Sequence, residues 1–109
     1  MDNAFEERKK KYEDKWAHDE ELRFKIGARR NKLLGLWAAA ELGLTGEAAE
    51  DYAISVVAAD LQGGKSMFRK LRADFDTAKR AHSDALIRKK MDDLFALAGE
   101  QVVSGTKSA

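Results

Sequence analysis

The sequence predicts an all-α protein: a four-helix bundle with an extended, mobile N-terminal helical segment. Three observations indicate this fold class. The chain contains no proline and is rich in helix-favouring residues, with 36% of its side chains charged. Apolar residues recur at helical spacing in four segments, and short breaks separate these segments. No segment requires a strand.

The first helical segment extends from about Asn3 to Leu42 and ends in the turn GLTG. Its early part carries an aromatic stripe of Phe5, Tyr12 and Trp16, and its later part carries the stripe Leu22, Ile26, Leu33, Leu36, Trp37 and Ala40. At roughly 100° per residue, the two stripes differ by about 80° around the helix axis. A straight helix docked on one core would keep one stripe. We therefore predict that residues 1–19 form a mobile segment that faces something other than the bundle of residues 20–98.

Two interpretations of the aromatic stripe stay open. The three rings either fold back onto the bundle through a bent helix, or belong to a helix that lies in another protein's groove. Ten of the fourteen residues from Asp2 to Lys15 are charged, five of each sign. Such a segment buries too little to offset its ordering entropy, so we expect it to be frayed when free and helical when bound. The acidic residues 19–21 are expected to form a solvated turn or a hinge.

The second helix is predicted at residues 46–61, with Thr45 as its N-cap. One face of this helix consists mostly of small residues: Ala48, Ala49, Tyr52, Val56 and Ala59. Small residues allow a neighbouring helix to approach closely, which indicates a central position in the bundle.

The third helix is predicted to start at Ser66 and to continue through Phe68, Leu71, Phe75, Ala78 and His82. Ser83 with Asp84 can cap the fourth, whose apolar residues are Ile87, Met91, Leu94, Phe95 and Ala98. Short connections favour antiparallel neighbours and an up-and-down arrangement. After Gly99, we expect residues 99–109 to be disordered.

Composition excludes several classes of site and location. The chain has 109 residues, enough for one domain, and no cysteine, which rules out disulfides and thiolate metal sites. The N-terminus lacks the apolar run of a signal peptide, and the stretch LLGLWAAA is too short to cross a bilayer. We therefore expect a cytoplasmic protein without direct membrane insertion.

Three local motifs resemble functional signatures without meeting their requirements. QGGKS at 62–66 is not a phosphate-binding loop, because Ala59 stands where the pattern needs its first glycine. We instead predict that the two glycines end one helix and that Ser66 caps the next. RKKK at 8–11 is neutralised by nearby acids, which argues against nucleic acid. His18 has no second histidine at zinc-site spacing.

Two basic clusters are the candidates for a ligand site. Arg29 lies within the apolar stripe of the later first helix, and Arg30 lies at its edge. Their side chains either pack on the core with paired or solvated heads, or bind a phosphate-bearing ligand. FRKLR at 68–72 adds Arg69 and Arg72 to this candidate site. No catalytic residues, required cofactor or metal site are predicted, since no nucleophile–base pair is visible, and the protein is expected not to be an enzyme.

The blocks AHDEELRFKIGARRNKLLGLWAA, LGLTG, YAISVVAAD, FRKLRADF and SDALIRKKM resemble the zeta subunit family, small inhibitors of alphaproteobacterial F-type ATP synthases. The resemblance covers nearly the whole chain. Gly27 within the first helix and the basic, glycine-rich stretch at 62–66 depart from the family's expected pattern.

The resemblance implies a bundle whose N-terminal segment enters a catalytic interface of the ATPase head and blocks rotary ATP hydrolysis. The partners would be the alpha, beta and gamma subunits, with the protein bound peripherally at the inner membrane. Phe5, Arg8, Lys9, Tyr12 and Trp16 are then the candidate partner-binding residues. The family also implies binding of regulatory ADP or ATP without hydrolysis. The alternative is a nucleotide-sensing helical adaptor that regulates another partner.

Overall fold

The computed structural model describes residues 6, 7, 10, 19–63 and 65–105. Four helices make up the bundle: α1 (Glu20–Glu41), α2 (Gly46–Asp60), α3 (Ser66–Thr77) and α4 (Asp84–Ser104). The described part of the chain has no strand, and the predicted all-α fold is confirmed. Of the N-terminal segment 1–19, only Glu6, Glu7, Lys10 and Asp19 are described, so its predicted mobility lies outside the described residues.

The first predicted helix is interrupted at Asp19. This residue has an extended backbone (φ −114°, ψ 98°), and its carboxylate accepts a hydrogen bond from the backbone N–H of Leu22 at 2.9 Å. Such an N-cap satisfies a donor that would otherwise lack a partner at the helix start. The prediction of one helix from 3 to 42 was therefore wrong at this point. The predicted turn or hinge at residues 19–21 is present only at Asp19, because Glu20 and Glu21 are already helical.

The helices form a closed ring in which α1 contacts α2 and α4, and α3 contacts α2 and α4. At one end of the bundle His82, just before α4, lies 2.7 Å from Glu41 at the end of α1. Towards the other end, Ile26 of α1 packs in a cluster with Ala98 of α4. These two contacts make α1 and α4 antiparallel.

Each helix contributes to one main core cluster, composed of Leu34, Ala38, Val56, Met67, Leu71, Phe75 and Ile87. The predicted stripe of α1 was wrong in part, because the buried face passes through Leu34 and Ala38 while Ala40 is exposed. The reason is that α1 is covered by α2 on one side and by α4 on another. A helix covered on two sides needs apolar residues around much of its circumference, so no single stripe marks its core face.

Helix α2 approaches a neighbour closely, as predicted, but it does so at Ala53, which the predicted face did not include, and Ala48 of that face is exposed. A Cβ built on Gly35 of α1 would lie only 2.6 Å from the Cα of Ala53. The two backbones meet here because neither residue has a larger side chain. Next to Ala53 in α2, the hydroxyl of Tyr52 donates a 2.6 Å hydrogen bond to Asp74 of α3. Burial, together with this hydrogen bond, raises the pKa of the Tyr52 phenol.

The sequence predicted the start of α4 correctly but not the end of α3. We expected α3 to reach His82, but it ends at Thr77, because Lys79 adopts a left-handed backbone (φ 59°) that cannot continue a helix. His82 instead stacks on Phe75, with ring centroids 4.1 Å apart. The predicted cap of α4 is confirmed: the Ser83 hydroxyl accepts from the Leu86 N–H at 3.1 Å.

The other two predicted caps differ from expectation. Thr45 is the N-cap of α2, yet its side chain makes no capping hydrogen bond. The predicted start of α3 at Ser66 is confirmed, but the cap is Lys65, not Ser66. The Ser66 hydroxyl instead donates to the Gly63 carbonyl at 2.9 Å. The break between α2 and α3 thus depends on the loop backbone more than on a capping side chain.

The predicted disorder from residue 99 onward was wrong for the first six residues. Helix α4 continues to Ser104 and ends at Gly105, which has a left-handed backbone (φ 77°). Val102 packs against the cluster of Ile26 and Ala98, and Gln101 accepts a hydrogen bond from Arg29. These contacts with α1 hold the last turns of α4. Residues 106–109 lie outside the described residues.

Candidate functional site

A basic pocket of about 230 Å³ opens where α1, α4 and the start of α3 meet. Its lining combines three cationic side chains with one carboxylate and an apolar floor: Arg30, Lys65, Arg88, Asp60, Met67, Phe68 and Met91. Three bases against one acid leave a local excess of positive charge. This excess, together with the apolar floor, suits an anion that carries an apolar or aromatic group.

The guanidinium of Arg30 is held firmly at the wall of this pocket. Its Nε donates to the Asn31 side chain at 2.8 Å, and one terminal nitrogen donates to the Met91 carbonyl at 3.3 Å. Asn31 is only 4% exposed, and its amide donates to Asp60 at 2.8 Å. Burial lowers the pKa of Arg30, and the charges of Asp60 and Asp92 oppose that effect. Because arginine is effectively always protonated in proteins, this side chain keeps its charge at neutral pH.

Arg88 shapes the opposite wall through an aromatic contact. Its guanidinium carbon lies 4.1 Å from the centroid of the Phe68 ring. Such a cation–π contact restrains the guanidinium plane while leaving its N–H groups directed away from the ring. Lys65, the N-cap residue of α3, supplies the third positive charge on the pocket lining.

The structure brings only one of the four predicted arginines into this pocket. Arg29 donates instead to Gln101, and its side chain is half-buried between α1 and α4. Arg69 lines a separate, open pocket with Lys70 between α2 and α3. Arg72 binds Asp76 at 2.7 Å and Asp84 at 2.8 Å, and these hydrogen bonds, that of Asp84 first, raise its pKa.

Lys65 and Arg88 are the pocket residues that sequence reasoning did not select. Lys65 was assigned only to a helix break, although it is the one base beside the two glycines at 63 and 64. Arg88 lies 58 positions after Arg30, and only the antiparallel pairing of α1 with α4 places the two on one pocket. Antiparallel pairing of α1 with α4, if assumed beforehand, would have indicated Arg88 as a neighbour of Arg30.

The predicted partner-binding residues Phe5, Arg8, Lys9, Tyr12 and Trp16 lie outside the described residues. Between them, Glu6, Glu7 and Lys10 are helical and exposed. The Glu6 carboxylate lies 3.5 Å from the Nζ of Lys89 on α4. This ion pair is the described contact that relates the N-terminal segment to the bundle.

Two other kinds of site are absent from the described ranges. There, His, Asp and Glu side chains form no group of three that could hold a metal ion. Nor does any described helix have the length and apolar character needed to cross a membrane.

An apolar groove between α1 and α2 is the most exposed hydrophobic surface of the bundle. Phe24, Ile54 and Leu61 are 77%, 65% and 82% exposed. Two adjoining pockets follow this groove, and both are lined by Ala28 and Val57. We refer to it below as the α1/α2 groove.

Comparison with known proteins identified a family and a similar solved structure. A family model described as ATPase inhibitor subunit zeta matches residues 1–101. A structure determined by solution NMR is 40% identical in sequence, with a TM-score of 0.68 over 77% of this chain and 98% of the other. No curated protein matches the chain significantly.

Proposed function

The chain belongs to the ATPase inhibitor subunit zeta family, and from this premise we propose that it is a regulatory inhibitor subunit of the rotary F-type ATP synthase. In this proposal the N-terminal helix enters a catalytic interface of the ATPase head, formed by the alpha, beta and gamma subunits, and blocks ATP hydrolysis. The observation that carries the proposal is the extent of the family match, since residues 1–101 include the aromatic stripe as well as the bundle. The protein would act in the cytoplasm, bound peripherally at the inner membrane.

The break at Asp19 supports separate roles for the N-terminal segment, which would bind the partner, and for the bundle, which would stay folded. Because Asp19 caps α1 through its own side chain, α1 keeps its start whatever the preceding residues do. The N-terminal segment can therefore move into a partner while the bundle stays folded. The bundle, about 38 × 31 × 27 Å across the described chain, would then be a bulky body attached beside the catalytic interface.

Three aromatic rings are proposed to provide most of the binding free energy. Phe5, Tyr12 and Trp16 share one face, and each can bury on the order of 150–250 Å² in a groove. Buried aromatic residues dominate many interfaces, while charged residues mainly set orientation and encounter rate. We assign the orienting role to Arg8 and Lys9.

The test compares ATPase inhibition with thermal unfolding for the same variants. Tyr12→Ala combined with Trp16→Ala is expected to weaken inhibition by several kcal/mol, on the order of a hundredfold or more in inhibitory concentration, and to leave the melting temperature of the bundle nearly unchanged. Lys9→Glu serves as the matched charge variant on the same segment. Its smaller effect should diminish in salt. Undiminished inhibition by the aromatic variant would refute insertion of this helix.

The second candidate function, a nucleotide-sensing adaptor, is favoured by the basic pocket. Arg30, Lys65 and Arg88 would bind the phosphates of ADP or ATP, and Phe68 would face the base. No hydrolysis is proposed. Of the four arginines named from the sequence, Arg30 is kept in this site, and Arg29, Arg69 and Arg72 remain a separate hypothesis for titration to decide.

Amide chemical shifts during ADP titration test this assignment. We expect shifts around Arg30 and Arg88, and loss of those shifts in Arg88→Gln. Arg29→Gln is the matched control, because Arg29 lies on the same helix as Arg30 but is turned toward Gln101. If Arg29→Gln abolishes binding and Arg88→Gln does not, the site is not the basic pocket.

A further inference from the structure

Helix α4 is covered on two sides, and the described helices account for one of them. Ile87 and Ala98 belong to the core clusters, on the side where α1 and α3 pack. Ala96 is also 0% exposed. At about 100° per residue, nine residues place Ala96 about 180° from Ile87, on the opposite side of the helix. Something other than the core of the bundle therefore covers Ala96.

The surface concerned is a narrow strip that we call the outer face of α4, consisting of Lys89, Asp93 and Ala96; it is fully covered at Ala96, whereas the Lys89 side chain is 62% exposed. Within one helical stripe, Lys89 lies only about 20° from Ala96, two turns earlier. Asp93, on the same strip, keeps only 24% of its side chain exposed. Ala85 also lies within about 20° of Ala96 but is exposed. The cover thus extends over the later turns of α4 and ends before Ala85.

The Glu6 ion pair identifies what lies on this strip. Glu6 contacts Lys89 at 3.5 Å, and Lys89 belongs to the outer face. We infer that the outer face of α4 is an intramolecular docking site for the N-terminal segment, residues 6–18, which lies along α4 when the protein is free. This is the fold-back arrangement that the sequence left open.

Chain length agrees with this docking. The antiparallel contacts His82–Glu41 and Ile26–Ala98 place Asp19 about level with Ser104 at the end of α4. From Ser104 back to Lys89 is about 22 Å along a helix, and a helical segment from Asp19 back to Glu6 spans about 20 Å. The segment therefore reaches Lys89 by reversing direction at Asp19, where the backbone is extended.

Charge also agrees. In this arrangement the segment and α4 run in the same direction, so Lys10 follows Glu6 at the same spacing as Asp93 follows Lys89. Lys10 then comes opposite Asp93 while Glu6 lies opposite Lys89, so each charge of the segment meets the opposite charge on α4. Lys89 also pairs with Asp93 within α4 at 3.2 Å. Ion pairs at a surface contribute little free energy, so the charges set the register while Ala96 allows the close approach.

Docking and inhibition compete for one helix; this consequence rests on the proposed function. A helix that lies against α4 cannot enter another protein's groove until it leaves, so the apparent affinity for the ATPase head is reduced by the fraction of open molecules. A variant that prevents docking on the outer face should lower the inhibitory concentration, multiplying it by the fraction of open molecules in the parent chain.

The direct test uses paramagnetic broadening in the isolated full-length chain. Because the chain has no cysteine, Glu7→Cys creates a unique attachment point for a nitroxide on an exposed, helical residue. We expect the amide signals of Lys89, Asp93 and Ala96 to broaden. Ala96→Gln, which places a longer side chain on the covered strip, should abolish the broadening, and Ala85→Gln on the same stripe should preserve it.

Three results would overturn docking on α4. One is unbroadened signals on the outer face, and another is broadening centred on Phe24, Ile54 and Leu61 of the α1/α2 groove. The third concerns a mixture of an isotope-enriched chain that carries no nitroxide with a nitroxide-labelled chain that is not enriched. Broadening of the enriched chain's signals in this mixture would mean contact with a second copy. If Ala96→Gln unfolds the bundle, Lys89→Glu takes its place and should reduce the broadening on the outer face. Adding Glu6→Lys to Lys89→Glu should restore that broadening.

ATPase inhibition by Ala96→Gln and Ala85→Gln tests the competition separately. We expect Ala96→Gln to inhibit at lower concentration than the parent chain, and Ala85→Gln to match the parent. Equal potency of all three, with docking observed, would overturn the competition. Absence of inhibition by the parent chain would refute the proposed function and leave the docking measurement valid.

Discussion

Replacing Gly35 with alanine tests the closest contact in the bundle. The new Cβ would lie 2.6 Å from the Cα and 3.1 Å from the carbonyl oxygen of Ala53 on α2. The first of these distances is roughly 0.8 Å short of the separation at which ordinary van der Waals contact begins. Both atoms belong to the backbone, so no flexible side chain can move aside. The two helices must separate along their contact.

The expected destabilisation is the difference between two opposing effects. Overpacking of a dense interior costs about 1–3 kcal/mol, and the clash with backbone atoms favours the upper part of that range. Alanine in place of glycine within a helix contributes about 1 kcal/mol in the opposite direction. The net loss for Gly35→Ala is therefore about 1–2 kcal/mol, which lowers the melting temperature of a domain of this size by roughly 5–15 °C.

Gly27→Ala is the matched control, because Gly27 lies in the same helix and its added Cβ would meet no atom within 4 Å. Only the propensity gain operates there, so this variant should melt a few degrees higher than the parent chain. Circular dichroism at 222 nm during heating measures both variants. A Gly35→Ala variant as stable as Gly27→Ala would refute the close packing of α1 on α2.

Two further predictions concern a cap and a titrating group. Ser83→Ala removes the hydroxyl that accepts from Leu86 and should lower the free energy of unfolding in urea by about 0.5–2 kcal/mol. Thr45→Ala, at a cap without a side-chain hydrogen bond, should lower it less. Equal losses would contradict the capping assignment. Tyr52 has a raised pKa in the folded state, so the folded chain binds more protons than the unfolded chain once the pH exceeds the unfolded value of about 10, and stability falls there. Tyr52→Phe lacks this contribution, and the advantage of the parent chain over this variant should shrink between pH 8 and pH 10.5; a constant advantage would contradict burial of the phenol against Asp74.

Periodicity predicted the parts of the fold where a helix has one buried side. In α3 and on the bundle side of α4 it identified Leu71, Phe75, Ile87 and Ala98, each 0% exposed, because these faces are turned to the core, whereas it did not identify Ala96 on the opposite side of α4. It did not identify Gly35, which has no side chain to contribute to a hydrophobic pattern. Helix packing through small residues depends on the partner's surface, so sequence spacing alone gives only the tendency and not the contact.

The basic pocket shows a second limit of reading a single sequence. Adjacent arginines look like one site along the chain, yet Arg29 and Arg30 are separated by about 100° around α1 and bind α4 at different places, Gln101 and the carbonyl of Met91. Arg30 meets Lys65 and Arg88 only through tertiary packing. Residues distant in sequence converge because of the bundle's topology, which the charge pattern does not encode.

The angular offset between the two apolar stripes needs a different explanation from the one that the sequence suggested. An angle measured along a helix has meaning only while the helix is continuous, and the extended backbone of Asp19 ends that continuity. The offset therefore does not by itself separate an inhibitory helix from a folded-back one. The cap at Asp19 is the stronger argument, because it gives α1 a complete start of its own. Movement of the N-terminal segment then costs the bundle no backbone hydrogen bond within α1. For this reason substitutions on the outer face of α4 should alter the availability of the segment, whereas substitutions at Gly35 should alter the stability of the bundle, and the two effects should add independently.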